Sequence, residues 1–401
     1  MSEIPAKPDH RQLGQELDLF VFSDLVGSGL PLWTPRGTAI RDAADKLVWE
    51  LRQRRGYQKV EIPHLTKKDL YETSGHWTKF SDELFKITSR EGHLFAVKPM
   101  NCPHHIEIYR RRPQSYRDLP IRYANTTMVY RDEQTGELGG LTRVRSITQD
   151  DAHVFCRADQ AKSEIEKVWQ IIEEFYGAVG FDKWQIRLSF HDSQKMEKYL
   201  GTEIDWQKAE NVLREVVHDR QVNAEEVAGE AAFYGPKIDF TAIDPLGREW
   251  QLATIQLDVN VPERFDLTCI NEQGEKERIM MVHCAIMGSI ERFVATVLEF
   301  TGGALPIWLA PVQTMILSVS EKEVAYAERV ATELRQANIR VETNFDNETL
   351  GKKIRGAKLQ KIPYLLIIGA AEAVAGNITI EDRDTGQSSK SSVSDFLSRF
   401  K

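Results

Sequence analysis

Apolar side chains between residues 158 and 179 return every third or fourth position. Ile165, Val168, Trp169, Ile172, Tyr176 and Val179 share one stripe, and this spacing predicts the clearest helix of the chain. A second stripe of Ile40, Ala43, Ala44, Leu47, Val48 and Leu51 predicts a core-facing helix over 37–54. A third, around Trp206, Ala209, Val212, Leu213 and Val216, predicts helix within 192–230, a segment that then turns acidic. Strict alternation takes over elsewhere. Trp184, Ile186, Leu188 and Phe190 predict a strand, as do 237–243 and 249–259, which the turn residues Asp244-Pro245-Leu246-Gly247 join. A further strand, 278–288, runs into Gly288-Ser289 and an apolar helix over 290–300.

Shorter signals fill the gaps. Tyr57, Val60, Ile62 and Leu65 suggest a strand, and Pro63 confines it to an edge or a strand end, where it can meet a partner subunit. Residues 69–91 hold a short helix and a Gly75-His76-Trp77 turn, and 93–100 a strand. A helix starts near Pro103, which suits a first helical turn, so Cys102 is expected just before it at a strand end. The first twenty residues are polar, carry Pro5 and Pro8, and read as an entry arm.

The stretch 129–156 reads as a long antiparallel hairpin with an extended tip at Gly136, Gly139 and Gly140. It carries Arg131, Glu133, Arg143 and Arg145 near the tip and Gln149-Asp150-Asp151-Ala152-His153 on the returning arm. Such a surface can floor an anionic ligand. The alternative is a solvated surface hairpin.

Past Gly302-Gly303 and 306–311 the pattern changes to short strands alternating with helices: 314–319, 321–337, 339–343, 350–359, 364–369 and 378–380. That alternation indicates a small α/β domain with a mixed or parallel sheet, while the earlier part reads as α+β, with long antiparallel strands and flanking helices.

A length of 401 residues agrees with two or three domains. The net charge of −8 argues against wholesale nucleic-acid wrapping while allowing a local basic face. Four cysteines, at 102, 156, 269 and 284, show no paired spacing and point to a reducing compartment. With no apolar leader and no stretch long enough for a membrane span, the expected location is cytoplasmic.

Cys102, His153 and His283 are expected at strand ends or within strands of one sheet. A thiolate with two imidazoles suits tetrahedral zinc with one open position, although a lone histidine is more often a satisfied core residue. Arg131, Arg143 and Arg292 are candidates for phosphate recognition, because guanidinium forks bind phosphate oxygens bidentately; each alone could equally be a surface ion pair. Neither G-x-x-x-x-G-K-[ST] nor G-x-G-x-x-G occurs.

Residues 56–63, Tyr130-Arg131-Asp132-Glu133 with the arm to Arg143, and Gly288-Ser289-Ile290-Glu291-Arg292-Phe293 resemble the three signatures of class II aminoacyl-tRNA synthetases. KPMNCP at 98–103, RVR followed by TQDDAH at 148–153, FYGPK at 233–237 and WLAPVQ at 308–313 are similar to the threonyl-tRNA synthetase family specifically. The likeness runs from about Asp9 onward. It implies a catalytic domain over 1–305, with 1–20 as its arm, and an anticodon-binding domain over 306–401.

The resemblance further implies a homodimer that activates L-threonine with ATP and passes it to the terminal ribose of tRNA(Thr), binding neither DNA nor membrane. Cys102, His153 and His283 would hold one zinc per subunit, and magnesium would accompany ATP. Arg131, Glu133, Arg143, Gln251 and Arg292 would bind ATP, with Arg131 and Arg292 catalytic. Met100, Gln149, Asp151, Tyr234, Lys237, Gln256 and Ser289 would line the threonine pocket. Asn347, Glu372 and Arg383 would face the anticodon, and Lys352, Lys353, Arg355, Lys358 and Lys361 could contact phosphates or simply form a solvated face.

Several positions depart from the family pattern. Ile147 stands where phenylalanine usually stacks on adenine, Cys284 where an arginine is expected, Leu252-Ala253 in place of Cys-Gly, His104 where glycine is common, and Glu381 where an arginine is typical. The N-terminal editing region of the family is expected to be missing. The competing expectation is a synthetase-like paralogue that binds RNA, or activates threonine, without charging tRNA.

Overall fold

The computed structural model describes residues 9–181, 184–243 and 249–400. They form two compact units, one of 22–31 and 44–296, the other of 9–21, 32–43 and 297–400.

The larger unit is organised around eight strands: β1 (Gln58–Lys59), β2 (Ile121–Tyr130), β3 (Ser146–Cys156), β4 (Gln185–Phe190), β5 (Ala224–Ala228), β6 (Lys237–Ile243), β7 (Glu249–Asp258) and β8 (Met280–Ala285). In space they run β5-β4-β6-β7-β8-β3-β2-β1. Neighbours are antiparallel from β4 through to β2, and only the outermost pairs, β5 with β4 and β1 with β2, are parallel. The returning arm of the hairpin expected over 129–156 is β3, but its first arm lies earlier than expected: β2 pairs with β3 from Ile121 opposite Phe155 to Tyr130 opposite Ser146, and only Val129 and Tyr130 of β2 fall in the expected stretch.

Helix α1 (Pro35–Gln53) and helix α3 (Ala161–Val179) follow their predicted stripes, with helix α2 (Cys102–Arg110) between them in the chain. The apolar stripe of α3 packs on β6, β7 and β8: Trp169 meets Phe240 of β6 edge-to-face with centroids 4.7 Å apart, and Tyr176 donates its hydroxyl to the carbonyl of Ile286, just past β8, at 2.9 Å. Each such fully buried large side chain contributes about 1.5–3 kcal/mol of apolar burial. On the other side of the stripe Arg122 of β2 forms a two-pronged ion pair with the buried Glu164, at 2.6 and 2.8 Å. Helix α4 (Glu203–Asp219) opens on a Thr202/Asp205 capping box, and helix α5 (Ile290–Thr301) follows β8.

Three expectations need correction, and a fourth is untested. Residues 57–65 are not one strand: Gln58–Lys59 edges the large sheet, while Leu65–Lys67 joins a separate three-stranded sheet with Leu94–Val97 and Lys86–Thr88, Pro63 lying between the two pieces. Cys102 is the first residue of α2 rather than a strand end, with Asn101 in the cap position, so the three metal candidates do not share one sheet. The acidic end of 192–230 is the exposed edge strand β5, whose polar Ala-Glu-Glu-Val-Ala lacks the apolar alternation of a half-buried strand. The expected turn at 244–247 lies outside the described residues.

In the smaller unit the described part of the entry arm begins at Asp9. Its carboxylate caps helix His10–Glu16 by accepting from the backbone N–H groups of Arg11 and Gln12 at 2.9 and 3.1 Å. His10 and Leu13 are buried, and His10 Nδ1 lies 2.7 Å from Glu299. Five strands, β9 (Thr314–Ser318), β10 (Val341–Asn344), β11 (Tyr364–Ile368), β12 (Ile378–Asp382) and β13 (Ser388–Ser391), form a mixed sheet ordered β10-β9-β11-β12-β13. The first three are mutually parallel and the last two antiparallel. Helices α6 (Val324–Gln336) and α7 (Leu350–Leu359) are as expected; β13, made almost wholly of serine, carries no apolar signal and was not.

Candidate active site

Strand β3 lays out the site by its own pleat. Alternate side chains share a face, so Ile147, Gln149, Asp151 and His153 stand along one side, each about 6.6 Å beyond the last. The intervening Asp150 points the other way and is buried against Arg52 at 3.1 Å, while also accepting from the backbone N–H groups of Ile286 and Met287 at 2.8 and 3.0 Å. Burial pushes the Asp150 carboxyl up to about 6 against the pull of Arg52.

At the Ile147 end lies a cleft lined by Arg131, Glu133, Arg143, Gln149, Gln251, Ser289 and Arg292, together with Glu83 and Ile147. All five predicted ATP residues meet here. Arg143 pairs with Glu133 at 2.7 Å and with Glu137 at 3.2 Å. Arg131 lies over the Phe80 ring at 5.1 Å, and its Nε is buried with no partner among the described residues. Burial, with Arg131 and Arg143 nearby, lowers the pKa of Arg292, whose Nε donates to the Thr142 carbonyl at 3.2 Å. Three guanidinium groups thus converge on a space fit for a polyanion. Glu291, buried beside Arg292, anchors the start of α5 to β3 by accepting from Thr148 N and Oγ1, both at 2.8 Å, and from Ser289 Oγ at 3.0 Å.

At the other end, Cys102, His153 and His283 are buried and offer ligand atoms within 4.8 Å of one another. His153 and His283 face each other across β3 and β8, in register. The donor set fits a metal on its outer contacts too. His283 Nε2 lies 2.9 Å from Asp258 Oδ2, and His153 Nδ1 is engaged by His105, so each ring keeps a second nitrogen for a ligand bond. Asp258 is itself fixed by the backbone N–H groups of Asn260 and Val261, both at 2.9 Å. Burial holds the Cys102 thiol well above, and His153 well below, their ordinary values.

Residues predicted for the threonine pocket connect these ends. Asp151 Oδ1 lies 3.8 Å from His153 Nε2, and Asp151 Oδ2 accepts from Asn101 at 2.9 Å. Tyr234 stacks on His283 at 4.8 Å and donates its hydroxyl to Gln256. Gly235 is required beside it, since a Cβ there would stand 2.1 Å from the Leu257 carbonyl oxygen. Lys237, opposite Gln256, and Gln251 both bind Asp239, at 3.2 and 2.7 Å. Met100 is partly buried against the cluster that holds Cys102.

Arg52, Asn101, His105, Asp258 and Glu291 were not singled out as site residues, nor was His76, which is buried with its Nδ1 2.7 Å from Ser74 and its ring 5.0 Å from Phe233. Asp258 was legible in principle as a carboxylate inside an apolar strand. Arg52 was not, because it falls in the last turn of α1, where a basic residue is ordinary.

Residues 85–301 match the class II tRNA synthetase core domain shared by the G, H, P, S and T enzymes, and 313–401 match an anticodon-binding domain. The chain is 37% identical to a structure titled as the RNA binding domain of threonyl-tRNA synthetase from Cryptosporidium parvum, with a TM-score of 0.93 and 98% of each chain covered. The chain belongs to the threonyl-tRNA synthetase family. It is 48% identical over 400 residues to the threonine–tRNA ligase of Flavobacterium johnsoniae and 49% identical over 386 residues to that of Porphyromonas gingivalis. It covers 99% and 96% of itself in these matches, and spans 61% and 59% of the two relatives.

Within this synthetase family the departures of the chain fall in distinct places. Ile147, Leu252 and Ala253 line the arginine cleft. Cys284 is buried 3.9 Å from the Tyr57 hydroxyl, and His104 Nε2 lies 2.8 Å from Thr66 Oγ1. The proposed anticodon residues lie in the smaller unit. Asn347 is exposed, whereas Glu372 accepts from Gly369 N at 3.1 Å and Thr379 at 2.9 Å, and Arg383 donates to the carbonyls of Lys361 and Leu305 at 2.7 and 2.9 Å. Glu381 pairs with Lys358. Lys353 is no part of a solvated face: it is buried and donates to the Ser318 carbonyl at 2.9 Å.

Proposed function

We propose that this protein is a threonine–tRNA ligase, which activates L-threonine with ATP to threonyl-adenylate and pyrophosphate and transfers the threonyl group to tRNA(Thr), releasing AMP. The observation that carries the reading is the run of side chains on β3, which joins an arginine cleft to a buried Cys102-His153-His283 set.

In this reading Arg131 holds the α-phosphate and the threonine carboxylate, countering charge as the carboxylate attacks phosphorus and pyrophosphate leaves. Arg143 and Arg292 hold the γ-phosphate, Glu133 accepts from the adenine amino group once Arg143 turns to phosphate, and magnesium accompanies the phosphates. Gln149, Gln251, Gln256, Lys237, Met100 and Ser289 line the amino-acid and ribose pocket. Zinc held by Cys102, His153 and His283 would supply a Lewis-acid position for the amino and hydroxyl groups of threonine. Asp151, which Asn101 holds in place, accepts from the substrate at the same end. Valine would leave those polar groups unpaired, whereas serine loses one methyl, worth about 1–3 kcal/mol.

We read 1–305 as catalytic and 306–401 as anticodon-binding, with Asn347, Glu372 and Arg383 toward the anticodon; the two family matches support this division. Pairing into a homodimer would use the edge near Pro63, and four buried free thiols suit the cytoplasm.

Amino-acid-dependent ATP–pyrophosphate exchange with threonine, serine and valine tests the reading. Exchange with threonine, weaker exchange with serine and none with valine is expected. No exchange by zinc-loaded protein would refute it, and exchange without charging of tRNA(Thr) would limit it to the first step.

A further inference from the structure

His105 belongs to the Asn101–His105 run but has no role in the reading above. Helix α2 begins at Cys102, so Cys102 and His105 stand one turn apart on the same face. His105 is fully buried, its Nδ1 lies 2.8 Å from Nδ1 of His153, and the two rings stand 4.8 Å apart at 89°. The opposite partner of the His153 ring is His283, with centroids 4.6 Å apart. His105 Nε2 is buried with no partner among the described residues. The two candidate metal histidines are therefore braced differently. His283 leans on Asp258, a carboxylate, and His153 leans on a second imidazole.

We propose that His105 is a positioning residue for the metal site: its Nδ1 accepts the Nδ1–H of His153 and so keeps His153 Nε2 free as the ligand nitrogen. This rests on the zinc reading given under Proposed function. One proton occupies the Nδ1–Nδ1 contact. When it sits on His153, a neutral His153 has its lone pair at Nε2, and His105 carries its own proton on Nε2. When it sits on His105, a neutral His153 is protonated at Nε2, and the ligand nitrogen is blocked. An acceptor at the His105 Nδ1 position is thus what the site needs, and the ring volume alone does not supply it. A single turn of α2 then delivers the first ligand and the brace of the second, which ties both to the placement of one helix.

Zinc affinity of the full chain, measured by chelator competition, separates the possibilities. In His105→Asn the side-chain oxygen falls where Nδ1 stands, in His105→Gln it reaches the Nε2 position, and His105→Phe fills the volume and accepts nothing. The Gln and Phe variants are expected to bind zinc about 10- to 100-fold more weakly, with Asn recovering most of the loss. Equal affinity of Phe and wild type would overturn the role. Nitrogen-15 NMR of zinc-loaded wild type gives a check that needs no variant: the expected pattern is His153 protonated at Nδ1 and His105 at Nε2, and a proton on His105 Nδ1 would overturn the proposal. Wild type that takes up no zinc would instead refute the zinc reading itself, and this role with it.

Discussion

Arg52 reaches Asp150 at 3.1 Å with neither side chain more than 1% exposed, and the same carboxylate holds the backbone of Ile286 and Met287. The pair therefore ties α1 to β3 and to the turn that follows β8. Arg52→Met is expected to destabilise the protein by about 3–5 kcal/mol, since it strands a buried carboxylate.

The pH dependence of that deficit has a definite sign. The Asp150 carboxyl is raised from 3.8 to about 6 in the folded protein, so its ionised form is disfavoured there relative to the unfolded chain. Its contribution to stability falls as pH rises from 4 through 6, and removing Arg52 pushes the carboxyl further up. Denaturation at pH 5 and pH 8 is expected to show the smaller Arg52→Met deficit at pH 5; a larger one at pH 5 would contradict the assignment.

Cys102→Ala removes the one sulfur donor of the buried set. Metal analysis of the purified variant should give no bound zinc, and threonine-dependent exchange should disappear with it. A metal-free variant with full activity would refute the role.

Arg143 is half-exposed, so its ion pairs with Glu133 and Glu137 add little to folding, about 0–1 kcal/mol. Arg143→Ala is accordingly expected to raise the KM for ATP by about tenfold or more, in line with loss of a charge-assisted phosphate contact, while the thermal midpoint barely moves. Kinetics and calorimetry on one preparation decide it.

Ile147 lines the cleft where a stacking ring is usual in the family. Ile147→Phe should lower the KM for ATP by about two- to tenfold, the equivalent of an aromatic contact of about 0.5–1.5 kcal/mol. An unchanged KM would mean that the adenine lies elsewhere.

Much of this architecture was legible before any coordinates. The stripes of α1 and α3 follow from apolar spacing, because those helices bury one face. Among the strands that escaped, β5 and β13 are polar edges, for which periodicity carries no information, and most of β2 lies before the stretch read as a hairpin. The residues proposed for metal and phosphate stood out by type and by family likeness. Arg52 and Asn101 did not, because they reach Asp150 and Asp151 of β3 from helix α1 and from the cap of α2, far away in sequence, while the register of β7 and β8 brings Asp258 to His283.

Because Ile147, Gln149, Asp151 and His153 ride one strand, the distance from the arginine cleft to the cysteine–histidine set is fixed by counting peptides, not by any flexible loop. The strand behaves as a reading frame for the substrate. A single residue inserted between Ile147 and His153 would turn the positions on one side of it to the opposite face, uncoupling the arginine cleft from the cysteine–histidine set even if each remained intact. Substitutions along β3 change one contact apiece; a change in its length would erase the register between them.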